Sequence, residues 1–147
     1  MGHSSTKIWI HTVFGTKDRL PIIDERLEII LYSHIRAEME IDRNCPVKII
    51  NGTKNHLHIL FLQNQNYSLK DILKCIKGGS SHWINQNNLT EAKFSWQVSY
   101  GAFSISESKV KEVEKYIFNQ KELHKRISFI DEYKMLLRKH DLNFENR

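Results

Sequence analysis

The chain has 147 residues, of which 40% are hydrophobic and 27% are charged, with 22 basic against 17 acidic residues. These values are ordinary for a globular protein, and we predict one domain over residues 1–147. No apolar run approaches the length of a membrane span and no signal-peptide core follows Met1, so we expect a cytoplasmic protein without a membrane partner. The net charge of +5 is compatible with a phosphate-bearing partner.

The first elements are a strand and a helix. Alternating β-branched and aromatic residues predict a strand over residues 7–14, followed by a basic loop. Asp24 can act as the N-cap of a helix that we predict to run to about Asp42. The apolar stripe of this helix is formed by Leu27, Ile30, Leu31 and Ile35.

A hairpin and a second helix follow. Strands are predicted over residues 47–50 and 56–63, and Asn51-Gly52 is a turn signal between them. Ser68 can cap the next helix, which Gly78-Gly79 is expected to interrupt. The inward residues of that helix are Leu69, Ile72, Leu73 and Ile76.

The remaining elements define the fold class. Residues 94–105 predict one or two strands, Ser106 can cap a helix through Gln120, and a C-terminal helix is predicted over residues 128–140. The resulting order, β-α-β-β-α-β-α, predicts an α/β (α+β) two-layer sandwich. Its ferredoxin-like core has a mainly antiparallel sheet with helices packed on it.

His56-Leu57-His58 lies inside the third predicted strand. Side chains alternate along a strand, so the two histidines share a face, with Cα atoms roughly 6.5–7 Å apart. Two imidazoles at that separation can bind one metal ion. A chance pairing of two histidines is the simpler explanation for so short a motif. The choice between chance and a metal site therefore depends on the other residues of the chain.

Tyr116 and Gln120 supply a second group of candidates. They lie one helical turn apart beside the apolar stripe formed by Val110, Val113 and Ile117. A metal held by two histidines can polarise a phosphodiester oxygen, and a tyrosine can attack the phosphorus to form a phosphotyrosine. Gln120 could complete the metal shell or hold the phosphate, although a tyrosine beside an apolar stripe is more often a packing residue.

Basic residues suggest where a nucleic acid could bind. Lys70, Lys74 and Lys77 follow one side of the second helix, and Lys17 and Arg19 in the first loop could extend this track along a phosphate backbone. A lysine stripe is more often a solvated helix face. The aromatic residues that could stack on bases are Trp83, Trp96, Tyr100 and Phe103.

The two motifs occur together in a short chain. His-Leu-His at 56–58 is followed about sixty residues later by Tyr-Ile-Phe-Asn-Gln at 116–120. With these motifs, the chain resembles the single-tyrosine HUH transposases, small enzymes of bacterial and archaeal insertion sequences that act on single-stranded DNA. The resemblance extends from Ile8 to about Tyr133. The matching segments are residues 10–19, 55–61, 77–78, 80–81, 96–105 and 113–120.

The resemblance implies a role in transposition and DNA recombination. It implies that His56 and His58 bind a divalent metal, Mg²⁺ or Mn²⁺, that Tyr116 is the nucleophile and that Gln120 assists at the metal. Such enzymes cleave and rejoin single-stranded DNA near hairpins at the element ends through a 5′-phosphotyrosine. Many are homodimers whose active sites are shared between subunits. Many relatives carry aspartate where this chain has Asn55.

Three alternatives remain. An inactive or domesticated relative would only bind DNA hairpins, but it would have no reason to keep His56, His58, Tyr116 and Gln120 together. A replication initiator or relaxase usually carries further domains. An unrelated ferredoxin-like metabolic or RNA-binding protein would form no covalent adduct with DNA.

Overall fold

The computed structural model describes residues 2–144 and contains a four-stranded antiparallel sheet in the order β2-β3-β1-β4. This strand order belongs to the ferredoxin-like split βαβ arrangement, which confirms the predicted α+β fold class. The strands are β1 (Trp9–Gly15), β2 (Val47–Thr53), β3 (His56–Leu62) and β4 (Gly101–Ile105). The helices are α1 (Glu25–Ala37), α2 (Leu69–Gln86), α3 (Val110–Phe118), α4 (Gln120–Leu123) and α5 (Phe129–Lys139).

Both faces of the sheet are covered by helices. On β1, Ile10 and Phe14 belong to the core that also contains the buried side chains of α1 and α2. Trp9 packs with buried residues of α3, and Val13 packs with buried residues of α5. Alternate side chains of β1 therefore pack into cores on opposite faces of the sheet. The α3 and α5 helices form a layer opposite α1 and α2.

The first helix begins as predicted, because the Asp24 side chain accepts a hydrogen bond from the Leu27 amide. It continues into a π-helical segment, Glu38–Asp42, so its predicted end is also confirmed. Ile30 was wrongly placed in the buried stripe, since it is 42% exposed. The stripe instead follows the four-residue spacing of Leu27, Leu31 and Ile35.

The hairpin turn lies three residues later than predicted. Asn51 and Gly52 belong to β2, and the turn is made by Lys54 and Asn55. A Cβ atom on Gly52 would lie 2.1 Å from the carbonyl oxygen of His56, so glycine is required by close backbone approach. Asn51 stays in the strand, and its side-chain amide donates hydrogen bonds to backbone carbonyls of α3.

The predicted interruption of the second helix is wrong. The α2 helix is continuous through Gly78 and Gly79. A Cβ atom on Gly79 would lie 2.5 Å from a carboxylate oxygen of Glu38, whereas one on Gly78 would meet nothing within 4 Å. Gly79 therefore allows α2 to approach the π-helical segment closely, which outweighs the low helix propensity of glycine.

The helix predicted from Ser106 through Gln120 is divided. A short 3-10 turn, Glu107–Lys109, precedes α3, and Asn119 separates α3 from α4 with φ −90° and ψ 16°. The Asn51 amide donates to the carbonyls of Ile117 and Phe118 at 3.0 Å, which satisfies groups left free where α3 ends. Gln120 is thus the first residue of α4.

Of the residues predicted as strand over 94–105, only β4 forms a regular strand. Trp96 makes a single bridge with Thr16. The segment between them is held by Lys77, which donates to the carbonyls of Gln97, Val98 and Ser99. Among residues 2–144, no helix is long and apolar enough to cross a membrane.

Gly52 and Gly78 have different surroundings, so replacing each by alanine tests the backbone packing at Gly52. We expect Gly52→Ala to destabilise the protein by about 1–3 kcal/mol or more, because the new methyl group overlaps backbone atoms that cannot move aside. Gly78→Ala is the matched control and should stabilise the protein by about 1 kcal/mol, because its methyl group enters open space on a helix. Urea unfolding followed by circular dichroism measures both. Equal effects would contradict the backbone packing at Gly52.

Candidate functional site

The two histidines of β3 point from the sheet toward α3 and α5. His56 and His58 are completely buried, and their ring centroids lie 5.2 Å apart. Leu57 and Ile59, on the other face of the strand, belong to the core beneath α1 and α2. The alternation that was predicted from the sequence therefore places both imidazoles in one cluster.

Tyr116 and Gln120 approach this cluster from the break between α3 and α4. The ring of Tyr116 lies 6.0 Å from that of His58. The Gln120 side chain is buried, with Oε1 2.9 Å from Nε2 of His56. The structure therefore brings together the four residues that the sequence pointed to, although Tyr116 and Gln120 do not share one uninterrupted helix.

A buried carboxylate, which sequence reasoning missed, lies at the centre of the cluster. Glu132 is fully buried on α5, and the N-cap Ser128 fixes the start of that helix. Glu132 Oε1 lies 3.3 Å from Nε2 of His56 and 3.1 Å from Nε2 of His58. Glu132 Oε2 accepts hydrogen bonds from the Tyr116 hydroxyl and, at 2.6 Å, from the Gln120 amide. One carboxylate thus contacts both the strand histidines and the tyrosine.

Two further histidines extend the cluster. His124, just after α4, places Nε2 2.9 Å from Glu132 Oε1 and 3.0 Å from Gln120 Oε1. His11, on β1, is buried behind His58, and the two rings share a hydrogen bond of 2.8 Å between Nε2 of His11 and Nδ1 of His58. Neither was among the residues predicted from the sequence.

The hydrogen bonds around His56 determine which ring nitrogen carries the proton. Thr53 donates its hydroxyl hydrogen to Oδ1 of Asn55, so both Thr53 and Asn55 face Nδ1 of His56 as acceptors, at 3.0 and 2.9 Å. Nδ1 of His56 therefore carries a hydrogen. Burial lowers the pKa of His56 to about 4, so near neutral pH the other nitrogen, Nε2, carries a lone pair.

That lone pair faces two oxygen atoms. The Gln120 amide is oriented by its donation to Glu132, so its Oε1 must face Nε2 of His56. Glu132 Oε1 approaches the same nitrogen at 3.3 Å. Three acceptors in contact repel one another unless a cation lies among them. Nε2 of His56, Nε2 of His58 and a Glu132 oxygen lie within 4.8 Å of one another, so this donor set fits a divalent metal ion.

The electrostatics of the cluster keep the Tyr116 phenol protonated. Burial alone would raise the pKa of Glu132, but its contacts with the imidazoles of His124, His56 and His58 hold that pKa below its usual range. Burial and, next, the charge of Glu132 raise the pKa of the Tyr116 phenol above its ordinary value. Tyr116 is therefore a neutral phenol that donates its hydrogen to an ionised carboxylate.

Solvent reaches the cluster from two sides. Tyr116 lines an open pocket of about 480 Å³ together with Lys115 and Arg126. His124 lines another pocket of about 460 Å³ together with Lys54 and Lys125. Each pocket offers basic side chains next to a residue of the buried cluster, so a phosphate group could approach the tyrosine without unfolding the site.

The predicted phosphate contacts have different surroundings. Lys70 and Lys74 are exposed and line a pocket of about 470 Å³. Lys77 donates to three backbone carbonyls, at 2.7, 2.9 and 3.2 Å, so its hydrogens already hold the loop before β4. Lys17 and Arg19 are exposed on a 3-10 turn after β1. A role in DNA binding stays a prediction for all five.

The aromatic residues suggested for base stacking are mostly unavailable. Trp96 and Phe103 are buried, at 7% and 4% exposure. Trp83 stacks on His34 with ring centroids 4.2 Å apart. Tyr100 is partly exposed and lines the pocket that contains Lys70 and Lys74. These four residues therefore act mainly in packing, as most aromatic side chains do.

The spacing of residues along helices α4 and α5 could have pointed to Glu132 and His124. Gln120 and His124 are four residues apart, and Phe129 and Glu132 are three apart, so each pair shares a helix face. Phe129 stacks on His56 with ring centroids 4.2 Å apart, which brings the start of α5 against the strand histidines. An acidic residue on the apolar face of an amphipathic helix was the available clue.

Comparisons with known proteins agree with this geometry. The chain resembles a proposed transposase from Deinococcus radiodurans R1, with a TM-score of 0.64, 19% identity, and coverage of 82% of this chain and 96% of that one. It also resembles a REP-associated tyrosine transposase bound to a REP hairpin, with a TM-score of 0.62, 14% identity, and coverage of 86% and 76%. At these identities the likeness shows the fold.

A comparison with curated proteins finds no significant match. The family model described as "Transposase IS200 like" matches residues 4–120, which include β1, the strand histidines, Tyr116 and Gln120. This match covers most of the chain, and the chain therefore belongs to the IS200-like transposase family.

Proposed function

We propose that this transposase cleaves and rejoins single-stranded DNA through a covalent 5′-phosphotyrosine at Tyr116. The observation that carries the proposal is the bond from the Tyr116 hydroxyl to Glu132, whose other oxygen contacts His56 and His58. A nucleophile, its proton acceptor and a set of metal ligands are thus joined in one cluster, as metal-assisted transesterification requires.

In the proposed reaction, the Tyr116 oxygen attacks the phosphorus while its proton passes to Glu132 Oε2, which already accepts its hydrogen bond. The bond from phosphorus to the tyrosine oxygen forms, and the bond from phosphorus to the 3′-oxygen breaks, so that the 3′-oxygen leaves as a hydroxyl with a proton from solvent. A free 3′-hydroxyl can later attack the phosphotyrosine, losing its proton to solvent, while the departing tyrosine oxygen takes its proton back from Glu132 Oε2. The phosphoester bond is retained throughout, so rejoining needs no nucleotide cofactor.

The residues that would hold a divalent cation are His56, His58, Gln120 and Glu132, and the resemblance implies Mg²⁺ or Mn²⁺. A cation bound there would polarise a phosphate oxygen. Asn55 and His11 contact the outer nitrogens of the two strand histidines, and these contacts fix the ring orientations. The chain thus supplies both the ligands and the groups that aim them.

The complete site supports catalysis over hairpin binding alone. Glu132 is fully buried, and removing a charge from water costs several kcal/mol unless its hydrogen bonds are satisfied. A protein that only bound DNA would gain nothing from such a carboxylate beside a tyrosine. The partner is proposed to be single-stranded DNA with hairpins at the element ends, since the related REP-associated transposase is bound to a REP hairpin.

We also propose that the protein is a homodimer, as the resemblance implies. Within each chain the Tyr116 hydroxyl donates to Glu132, which contacts His58, so each subunit contains the complete set of side chains.

The first test concerns the nucleophile. Wild-type protein incubated with Mn²⁺ and an end-labelled single-stranded oligonucleotide from the element ends should form a covalent adduct that survives denaturing electrophoresis. Tyr116→Phe should form none, because it lacks the attacking oxygen. His56→Ala should lose metal-dependent cleavage because it removes a ligand.

Tyr67→Phe is the matched control, since Tyr67 is exposed and lies outside the cluster. Its adduct yield should equal that of the wild type. An adduct formed by Tyr116→Phe would rule out the proposed nucleophile, and unchanged metal-dependent cleavage by His56→Ala would rule out that ligand.

The second test concerns the residue behind His56. Asn55→Leu removes the acceptor at 2.9 Å from Nδ1, so Mn²⁺ affinity should fall about 10–100-fold, as for other outer contacts of metal ligands. Paramagnetic resonance titration measures free Mn²⁺ directly. Asn87→Leu, on the exposed end of α2, should leave the affinity unchanged. An equal affinity for Asn55→Leu and the wild type would contradict this role.

The third test concerns phosphate contacts by Lys70 and Lys74. Replacing either by alanine should reduce the slope of log affinity against log salt by about 0.7 if it removes one single-strand phosphate contact. The measurement is fluorescence anisotropy with a hairpin oligonucleotide that carries a single-stranded flank. Lys93→Ala, at another exposed lysine, is the control. An unchanged slope for both variants would assign Lys70 and Lys74 to a solvated helix face.

A further inference from the structure

We propose that His124 is a third imidazole ligand of the metal centre. The site would then contain three histidines, one carboxylate and one amide oxygen, and would select Co²⁺, Zn²⁺ and Mn²⁺ over Mg²⁺. This inference rests on the proposed metal-dependent function and names the class of cofactor. It concerns a residue outside the matched family segment, which ends at residue 120.

The break at Asn119 is what brings His124 into the cluster. It restarts the chain as the short helix α4, whose first residue is Gln120, and His124 follows one turn later on the same face. The His124 side chain is 9% exposed, and its ring centroid lies 4.5 Å from that of His56. His124 thus joins the cluster with its ring beside a strand histidine.

The orientation of the His124 ring is also determined. Its Nδ1 lies 2.9 Å from the carbonyl oxygen of Ile127, which can only accept, so Nδ1 carries a hydrogen. Nε2 is therefore the atom that faces inward. A backbone carbonyl that fixes one imidazole nitrogen is the usual outer contact of a histidine metal ligand.

The inward nitrogen meets the same two oxygens as the ligand His56. Nε2 of His124 lies 2.9 Å from Glu132 Oε1 and 3.0 Å from Gln120 Oε1. Nε2 of His56 lies 3.3 and 2.9 Å from those oxygens. Nε2 of His58 lies 3.1 Å from Glu132 Oε1. Three imidazole nitrogens thus surround one carboxylate oxygen.

An ion pair between His124 and Glu132 does not by itself account for this crowding, because Nε2 of His56 and Nε2 of His58 lie within 3.3 Å of the same carboxylate oxygen. An oxygen that has two lone pairs is served by one or two hydrogen-bond donors, and several protonated imidazoles packed together would repel one another. A metal ion, by contrast, accepts several neutral nitrogens and a carboxylate in one shell. The convergence of His56, His58 and His124 therefore favours coordination.

The donor set decides between ions. Mg²⁺ prefers oxygen ligands and retains several waters, whereas imidazole suits the later first-row metals, whose affinities rise from Mn²⁺ to Co²⁺. Two imidazoles with oxygen donors leave Mg²⁺ and Mn²⁺ close competitors, but a third imidazole strengthens the preference for transition ions. We expect the affinity for Co²⁺ and Zn²⁺ to exceed that for Mn²⁺, and the affinity for Mn²⁺ to exceed that for Mg²⁺.

The first experiment uses the wild-type protein without DNA. Long-range proton–nitrogen spectra of histidine-labelled protein are recorded before and after Zn²⁺ is added. The Nε2 resonances of His56, His58 and His124 should all move to the range of metal-bound imidazole, whereas Nε2 of His11 should not. A shift of His56 and His58 alone overturns the inference, and this test requires no variant to fold.

The second experiment compares His124→Gln with the control His82→Gln, at an exposed position of α2. Co²⁺ affinity, measured by the visible absorption of the bound ion, should fall at least about 10-fold in His124→Gln, because a direct ligand matters no less than an outer contact. Mg²⁺ affinity should change much less. Thermal unfolding in chelator checks that both variants are folded.

The outcomes separate this inference from the proposed function. If His124→Gln binds Co²⁺ like the wild type and still forms the DNA adduct, His124 is not a ligand, and the proposed function stands. If the wild-type protein forms no adduct with any of the four ions, the proposed function fails, whatever the spectra of His124 show.

Discussion

The buried carboxylate of Glu132 is the group on which the arrangement of the site depends. Its two oxygens contact five side chains that come from two separate parts of the chain, β3 and residues 116–124. An isolated buried charge would cost several kcal/mol, and these hydrogen bonds offset that cost. The same contacts join α5 to β3 and to the segment around α4. The charge of Glu132 is therefore buried with its partners only when these segments pack together.

Helices on both faces of the sheet make that position available. The α1 and α2 helices cover the face away from the histidines, so β3 is held rigidly from behind by residues such as Leu57 and Ile59. The α3 and α5 helices cover the other face and leave the strand imidazoles in a buried polar cluster between them. A functional site on a packed strand is more precise than one on a loop.

Three local signals in the sequence were overridden by tertiary contacts. Asn51-Gly52 reads as a turn, but Gly52 is required for close backbone approach, and Asn51 contacts the end of α3. Gly79 reads as a helix breaker, but it permits contact with Glu38. Asn119 breaks a helix whose apolar periodicity is otherwise regular. For Asn51, Gly79 and Asn119 the deciding neighbour is distant in sequence, so no local pattern could reveal it.

The sequence by itself determined the fold class and the common face of His56 and His58. The motif that contains Tyr116 and Gln120 also indicated the family of the chain. These follow from short-range rules, namely the alternation of strand residues and the spacing of a motif. Only the tertiary structure showed that Glu132 and His124 belong to the same site. Glu132 lies 74 residues from His58 along the chain, and the packing of α5 on the sheet, which no local pattern encodes, brings the two together.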